Sequence, residues 1–191
     1  MLKTKVKAGN ITNLSDARYC AGMGVDWLGF PIGVIDPKKF TEITSWVSGP
    51  QFVLELGAGE IPETATHYPV SILQIALEQL NESKSLTNRS FIVTLPLADW
   101  HEHKFELIND KDRILGLLIT IGHSQSTDHA SFKEIAEHFE VLVNLDSCPY
   151  SLNEILDFTI AGVNVSGNQE LRPGLKDYKD LAVVLEQLEC D

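Results

Sequence analysis

Short apolar runs rich in β-branched residues alternate along the chain with longer segments whose apolar residues recur at a helical period. The runs FVLEL, FIVTL, LGLLITI and VLVNL are almost continuously apolar, which is typical of strands buried on both faces of a sheet. The pattern predicts eight strands, over residues 5–11, 26–32, 51–56, 71–75, 90–95, 114–121, 141–145 and 162–165.

The segments between these strands predict helices that cover the sheet. The first is expected to begin near Ser15, whose hydroxyl can cap it, and to end at Gly22 and Gly24. The second is expected to begin at Asp36, with Pro37 at its first helical position. Three more helices are expected over residues 129–139, 151–158 and 177–188.

Strands that alternate with helices indicate βαβ units and a parallel sheet, because each crossover helix covers a face of the sheet. Eight such units in 191 residues leave about 24 residues for each, near the lower size limit of closed barrels. An open, doubly wound sheet is the alternative, but it would carry a glycine-rich turn where this chain reads AGNITN. We therefore predict an α/β fold, a small and compact (β/α)8 TIM barrel, as one domain over residues 1–191.

The charge and hydropathy of the chain limit its partners. A net charge of −12 does not provide the basic footprint that nucleic acids or anionic membranes require. The longest apolar runs are shorter than the roughly 18 residues of a membrane span. The opening MLKTKVK leads into a polar segment, whereas a signal peptide would continue with an apolar one. We expect a cytoplasmic protein, monomeric or homodimeric, that binds neither nucleic acid nor membrane.

The cysteines and histidines do not suggest a metal site. The three cysteines are odd in number and widely spaced, unlike those of a disulfide framework or a zinc site. We expect Cys20 to be a small core residue and Cys148, just after the seventh strand, to be the only cysteine placed to react. The histidines are scattered and no nucleotide-binding loop is present, so no metal and no cofactor are expected.

Two segments at the ends of the chain, KVKAGNITNLSDARYCAGMGVDWLGF and GVNVSGNQELRPGLKD, are the most distinctive in the sequence. They resemble the phosphoribosylanthranilate isomerase family of tryptophan biosynthesis, which reads KICGITN, a helix and GAD-x-LGF at one end and GVDVSSGVE-x-x-PG-x-KD at the other. The matching positions are Lys7, Ile11, Thr12, Asn13, Asp16, Ala17, Gly24, Asp26, Leu28, Gly29, Phe30, Gly162, Val163, Val165, Ser166, Glu170, Pro173, Gly174, Lys176 and Asp177.

The family converts an aminoaldose phosphate into an aminoketose phosphate. The resemblance implies a cysteine as general base, an aspartate at the end of the sixth strand as general acid, and a phosphate held by backbone amides after strands seven and eight. In this chain the base position is Gly9 and the acid position falls near Thr120. Because one proton-transfer group typically contributes about 10²–10⁴ to a rate, the sequence predicts a barrel that kept its scaffold and lost the family reaction.

His123 and Asp146 are the candidate catalytic residues. They follow neighbouring strands of the predicted barrel, and a carboxylate beside an imidazole can fix its tautomer and poise it near neutral pH. The competing interpretation is structural, since a solvated loop histidine and a helix-capping aspartate are both common.

Candidate ligand-binding residues lie at the predicted strand ends, where barrels place their chemistry. Asn10 belongs to the end of the first strand, and Glu55 to the end of the third, where it is either an acid in the barrel mouth or an exposed side chain. Ser166, Gly167 and Asn168 follow the eighth strand and could offer backbone amides to an anion, because glycine allows close approach of the backbone.

These residues are compatible with three functional hypotheses. The first is a divergent phosphoribosylanthranilate isomerase-like protein, a pseudoenzyme for the family reaction, that binds a small anionic or sugar-like ligand at the barrel mouth. The second is an active aldose–ketose isomerase with substituted catalytic residues such as His123 and Asp146. The third is a non-enzymatic interaction scaffold, in which Trp46, Trp100 and Tyr150 form an exposed contact patch; the competing interpretation is that each of them packs on its own helix.

Overall fold

The computed structural model describes residues 1–122, 129–146, 148–166 and 179–190. In this part of the chain the strands are β1 (Lys5–Gly9), β2 (Trp27–Pro31), β3 (Gln51–Glu55), β4 (Ile72–Ala76), β5 (Ser90–Pro96), β6 (Ile114–Thr120), β7 (Glu140–Asn144) and β8 (Gly162–Ser166). Each strand pairs in parallel with the next along the chain, and β8 pairs with β1 to close a barrel. The predicted (β/α)8 fold is confirmed, and the open sheet is wrong.

The α-helices of the described residues connect the strands. They are α1 (Leu14–Gly22), α2 (Pro37–Thr44), α3 (Trp100–Asn109), α4 (His129–Ala136), α5 (Leu152–Leu156) and α6 (Lys179–Leu188). After β3 and β4 the chain forms only short 3-10 helices, Glu63–His67, Leu77–Gln79 and Glu82–Ser85. These short connections explain how eight strands with their crossovers fit into 191 residues.

The first helix begins earlier than the sequence suggests. Asn13 caps it, because the Asn13 Oδ1 atom accepts a hydrogen bond from the Asp16 amide at 2.9 Å, while Ser15 lies inside the first turn. Asparagine and serine are equally good caps, so the sequence alone does not show which of Asn13 and Ser15 begins the helix. The second helix begins as predicted, with Asp36 as the cap and Pro37 in the first turn.

Two apolar layers stabilise the barrel. The larger layer lies between the strands and the surrounding helices and includes Phe30, Phe40, Trp100 and Phe132. The smaller layer, which we call the interior plug, fills the inside of the barrel with side chains from β2 to β7. The members of the plug are Trp27, Val53, Ile72, Ile92, Leu118 and Leu142.

Candidate functional site

A layer of mainly polar residues lies above the interior plug, at the carboxyl ends of the strands. Successive side chains of a strand point to opposite faces, so the residue two positions after each plug member also faces the interior. These residues are Gly29, Glu55, Gln74, Thr94, Thr120 and Asn144, and β1 and β8 add Lys7, Gly9, Asn164 and Ser166. Because barrels place their chemistry at this end, we treat this set of residues, which we call the mouth layer, as the candidate site.

A buried ion pair lies within the mouth layer. The Lys7 side chain is 0% exposed, and its ammonium donates to Glu55 Oε1 and, at 3.0 Å, to Asn164 Oδ1. The Glu55 side chain is 16% exposed, so the pair reaches solvent on its carboxylate side. Glu55 Oε2 also accepts a hydrogen bond at 2.9 Å from the backbone amide of Asn10. Both charges are therefore paired and hydrogen-bonded, which is the condition under which buried charges are tolerated.

Two glycines make room for this ion pair. Glu55 on β3 reaches Lys7 on β1 across the intervening strand β2. A Cβ atom at Gly29 would lie against the Glu55 carboxylate and 2.8 Å from Lys7 Nζ. A Cβ atom at Gly9 would lie 2.7 Å from Glu55 Oε1. A side chain at either glycine would therefore displace the Glu55 carboxylate from its place beside Lys7.

A second carboxylate, that of Asp146, follows β7 and lies beside the end of β8. Asp146 Oδ1 accepts a hydrogen bond from the Ser166 amide at 2.9 Å. Asn144 Oδ1 accepts hydrogen bonds from Asn164 Nδ2 at 3.0 Å and from the Asp146 amide at 3.4 Å. Together with the ion pair, these bonds form a continuous network across β3, β1, β8 and β7.

One buried acceptor in the mouth layer has no hydrogen-bond partner among the described residues. It is the side-chain Oε1 atom of Gln74, a residue that pairs with Glu55 in the register of β3 and β4. A buried polar atom without a partner typically costs about 1–3 kcal/mol. An unpaired acceptor at the end of a barrel is therefore a place where a donor hydrogen of a ligand would fit.

The structure brings together three of the predicted ligand-binding residues. Glu55 contacts the backbone of Asn10, and Gly9, which precedes Asn10, pairs with Ser166 in the register of β1 and β8. Asn10 has φ 55°, a left-handed conformation that asparagine adopts more readily than most residues. The other two predicted residues, Gly167 and Asn168, lie outside the described part of the chain.

The predicted catalytic residues have different outcomes. His123 lies outside the described residues. Asp146 is exposed and holds the Ser166 amide, a role that the sequence did not suggest. The structural interpretation of Asp146 as a helix cap is wrong, because the cap of the following helix is Ser151.

Sequence reasoning missed Lys7 and Gln74 as site residues. Both lie within predicted strands, where a polar side chain does not stand out as a strand-end residue does. The available signal was the alternation itself, because Gln74 follows the apolar Ile72 by two positions and Lys7 lies between the apolar residues Val6 and Ala8.

Other candidate groups lie away from the mouth layer or are poorly suited to chemistry. Cys20 is buried as predicted, whereas burial raises the pKa of the Cys148 thiol and so disfavours the reactive thiolate. Within the described residues no group of three or more His, Cys, Asp and Glu side chains is placed to hold a metal ion. None of the helices in that part is both long enough and apolar enough to span a bilayer.

Two of the three aromatic residues considered for a contact patch pack against the protein. Trp46 is 70% exposed, but Trp100 is fully buried, and its indole donates to Glu134 Oε2 at 3.0 Å. Tyr150 is half-buried against the ring of Phe158. Trp100 and Tyr150 are therefore packing residues.

Solved structures share this architecture over nearly the whole chain. The phosphoribosylanthranilate isomerase of Thermus thermophilus matches with a TM-score of 0.67 and 19% identity, over 96% of this chain and 98% of that one. Monomers of the dimeric phosphoribosylanthranilate isomerase of Thermotoga maritima match with a TM-score of 0.69 and 17% identity, over 97% and 98%. The isomerase of Pyrococcus furiosus gives 0.66 and 15%, over 97% and 98%. The chain shares the (β/α)8 barrel fold of these isomerases.

This result confirms at the level of the fold the resemblance seen at the two ends of the sequence. No family model matches the sequence, and no curated protein matches it. In the barrel of this chain, Gly9 is the last residue of β1 and Thr120 is the last residue of β6. The resemblance assigns the general base to the first position and the general acid to the second.

Proposed function

We propose that the protein is a divergent phosphoribosylanthranilate isomerase-like barrel that binds a small sugar-like ligand at its mouth and does not catalyse the family's isomerisation. One observation supports both parts of this proposal. The position of the family's general base is Gly9, and the Glu55 carboxylate, hydrogen-bonded to Lys7 and to the Asn10 amide, lies in the space beside it.

The mouth layer suits a hydroxylated ligand. Ligand sites are concave and combine an apolar wall with a few convergent polar groups. Here the interior plug closes the barrel below, and the polar groups above it are mainly amides and hydroxyls. These are the side chains of Gln74, Thr94, Thr120, Asn144, Asn164 and Ser166.

The same layer is poorly suited to the family's reaction. Glycine has no group that can move a proton, and the hydroxyl of Thr120 is a weak acid in place of a carboxyl group. General acid–base groups each contribute about 10²–10⁴ to a rate, so their joint loss reduces turnover by several orders of magnitude.

A second candidate function is an active aldose–ketose isomerase with a substituted base. The observation in its favour is the Glu55 carboxylate, whose Oε1 atom lies 2.7 Å from where a Gly9 Cβ atom would be. A carboxylate can act as a general base if it reaches the proton to be removed. His123 and Asp146, proposed from the sequence for this role, have less support, because Asp146 holds the Ser166 amide.

The remaining parts of the proposal concern organisation. We infer one domain over residues 1–191, a cytoplasmic location, and a monomer or homodimer, the latter in keeping with the dimeric isomerase of Thermotoga maritima. An interaction scaffold built on aromatic residues has less support, since Trp100 is buried.

The turnover of freshly generated phosphoribosylanthranilate by the full chain distinguishes the two candidates. The first predicts no detectable conversion, whereas turnover at an ordinary enzymatic rate of about 1–10³ s⁻¹ would refute it. If conversion occurs, Glu55→Gln identifies its base. Loss of turnover in that variant while its circular dichroism shows it folded, with turnover retained in the control Glu140→Gln at the opposite end of the barrel, would establish the second candidate.

A further inference from the structure

Two backbone amides at the barrel mouth already have hydrogen-bond acceptors. The Asn10 amide donates to Glu55 Oε2 at 2.9 Å, and the Ser166 amide donates to Asp146 Oδ1 at 2.9 Å. The two amides lie on neighbouring strand ends, because Gly9 pairs with Ser166 in the register of β1 and β8. At both places a carboxylate of the chain itself occupies the position where an anionic ligand would accept a hydrogen bond.

The side-chain donors of Lys7 and Asn164 are also engaged. The Lys7 ammonium donates to Glu55 and to Asn164, and the Asn164 amide group donates to Asn144 Oδ1. An acceptor, by contrast, is left over, because the buried Gln74 Oε1 atom has no partner in the described part of the chain. A ligand that satisfies this atom must therefore supply a hydrogen-bond donor.

The charges at the barrel mouth also favour a ligand without a phosphate group. Among the described residues of the network there are two carboxylates, those of Glu55 and Asp146, and one ammonium, that of Lys7, which is buried and paired with Glu55. Placing a phosphate beside these carboxylates brings like charges together, and like-charge contacts are a strong source of discrimination between ligands.

We propose that the mouth takes an unphosphorylated, hydrogen-bond-donating ligand, a polyol or free sugar, which Gln74 recognises and from which Asp146 excludes the phosphorylated form. This inference rests on the proposed function and narrows its ligand class. It also replaces the anionic ligand that the sequence left open.

Calorimetric titration of the full chain with D-ribose and with D-ribose 5-phosphate tests the selectivity. We expect D-ribose to bind at least about tenfold more tightly than its phosphate. Tighter binding of the phosphate would overturn this inference and leave the proposed function intact. Binding of neither compound would contradict the proposed function and this inference with it.

A pair of glutamine variants tests the role of Gln74. Gln79 is a matched control, because it is buried but fully bonded, donating to the carbonyls of Gly57 at 2.9 Å and Gly59 at 2.7 Å and accepting from the Ala76 amide at 2.8 Å. Gln79→Met is expected to lower Tm by several degrees, whereas Gln74→Met keeps or raises Tm and weakens D-ribose binding about tenfold. Unchanged D-ribose affinity in folded Gln74→Met would show that Gln74 does not bind the ligand.

Two variants of Asp146 separate the effect of its negative charge from the effect of its hydrogen bond to the Ser166 amide. Asp146→Asn keeps an oxygen that can accept from the Ser166 amide but removes the charge, and Asp146→Ala removes both. We expect affinity for D-ribose 5-phosphate to rise about tenfold in Asp146→Ala, with a smaller rise in Asp146→Asn. Folded variants, as judged by unchanged circular dichroism, that bind the phosphate no better than the parent chain would overturn the role of Asp146.

Discussion

Glu55 and Lys7 form an ion pair across β2, over the bare backbone of Gly29. The pair joins strands that are not neighbours, and only its carboxylate side reaches the solvent of the mouth. Removing one partner of a buried pair is much more costly than removing both, because the remaining charge has no counter-charge. The pair therefore makes stability and the shape of the mouth depend on the same two side chains.

Glu55→Gln is expected to lower the free energy of unfolding by about 3 kcal/mol, because the fully buried Lys7 ammonium loses its counter-charge. Denaturant unfolding followed by circular dichroism measures this change.

The control for this variant is Glu140→Gln. Glu140 pairs with Lys5 at the other end of the barrel, but the two side chains are 42% and 43% exposed. An exposed pair of this kind contributes about 0–1 kcal/mol, so Glu140→Gln should change stability little. Equal losses in the two variants would contradict the assigned difference between the pairs.

The double variant Lys7→Met/Glu55→Gln should be more stable than Glu55→Gln alone. Replacing both partners of a buried pair by uncharged side chains of similar size is often close to neutral, because no isolated charge remains. A double-mutant cycle measures the coupling between the two positions. Additive losses would show that the two side chains do not stabilise each other.

The two glycines beside the ion pair should not tolerate a side chain. Gly9→Ala and Gly29→Ala are each expected to reduce stability by about 1–3 kcal/mol, since their Cβ atoms would displace the Glu55 carboxylate. At Gly22, the last residue of α1, a Cβ atom would have no atom within 4 Å, so Gly22→Ala is the control and should keep or slightly raise Tm. Equal thermal stability of all three variants would refute the crowding at the mouth.

The strands were predictable because a parallel barrel buries both faces of each strand, and near-continuous apolar runs such as LGLLITI in β6 report this directly. The start of α1 was harder to predict, because Asn13 and Ser15 are equally suitable caps and lie only two positions apart. The sequence did not predict that short 3-10 helices replace α-helices after β3 and β4.

The site was predicted in part, and for a definable reason. Asn10, Glu55 and Ser166 lie at strand ends and are visible as polar residues after an apolar run. The partner of Glu55 depends on the closure of the barrel and on the missing side chain of Gly29, neither of which a local pattern contains. For the same reason the sequence did not reveal the bond between Asp146 and the Ser166 amide, while the predicted partner of Asp146, His123, lies outside the described residues.

A carboxylate between α3 and α4 predicts how stability depends on pH. Glu134 accepts hydrogen bonds from the Trp100 indole at 3.0 Å and from the Lys104 ammonium at 2.9 Å. These hydrogen bonds lower the pKa of Glu134 below its usual value of 4.5, and the bond from Trp100 has the largest effect. Because the pKa is lower in the folded chain, the stabilisation is present above the unfolded pKa and is lost as the pH falls through the folded pKa.

Glu134→Gln should therefore lower Tm near neutral pH, and its difference from the parent chain should shrink below about pH 4. Thermal unfolding at a series of pH values measures this convergence. The exposed Glu137, three residues further along the chain, provides the control Glu137→Gln, which should change Tm little near neutral pH. A Tm difference for Glu134→Gln that grows on acidification would contradict the sign of the linkage.

The position of ligand binding is the most direct test of the central claim that the mouth layer is the functional site. Titration of the isotope-labelled full chain with D-ribose, followed through assigned backbone amide signals, locates the site residue by residue. We predict saturable shifts at Asn10, Gln74 and Ser166 and unchanged signals at Lys5 and Gln51 at the opposite end of the barrel. Unchanged signals at the mouth, or shifts confined to the opposite end, would contradict the claim.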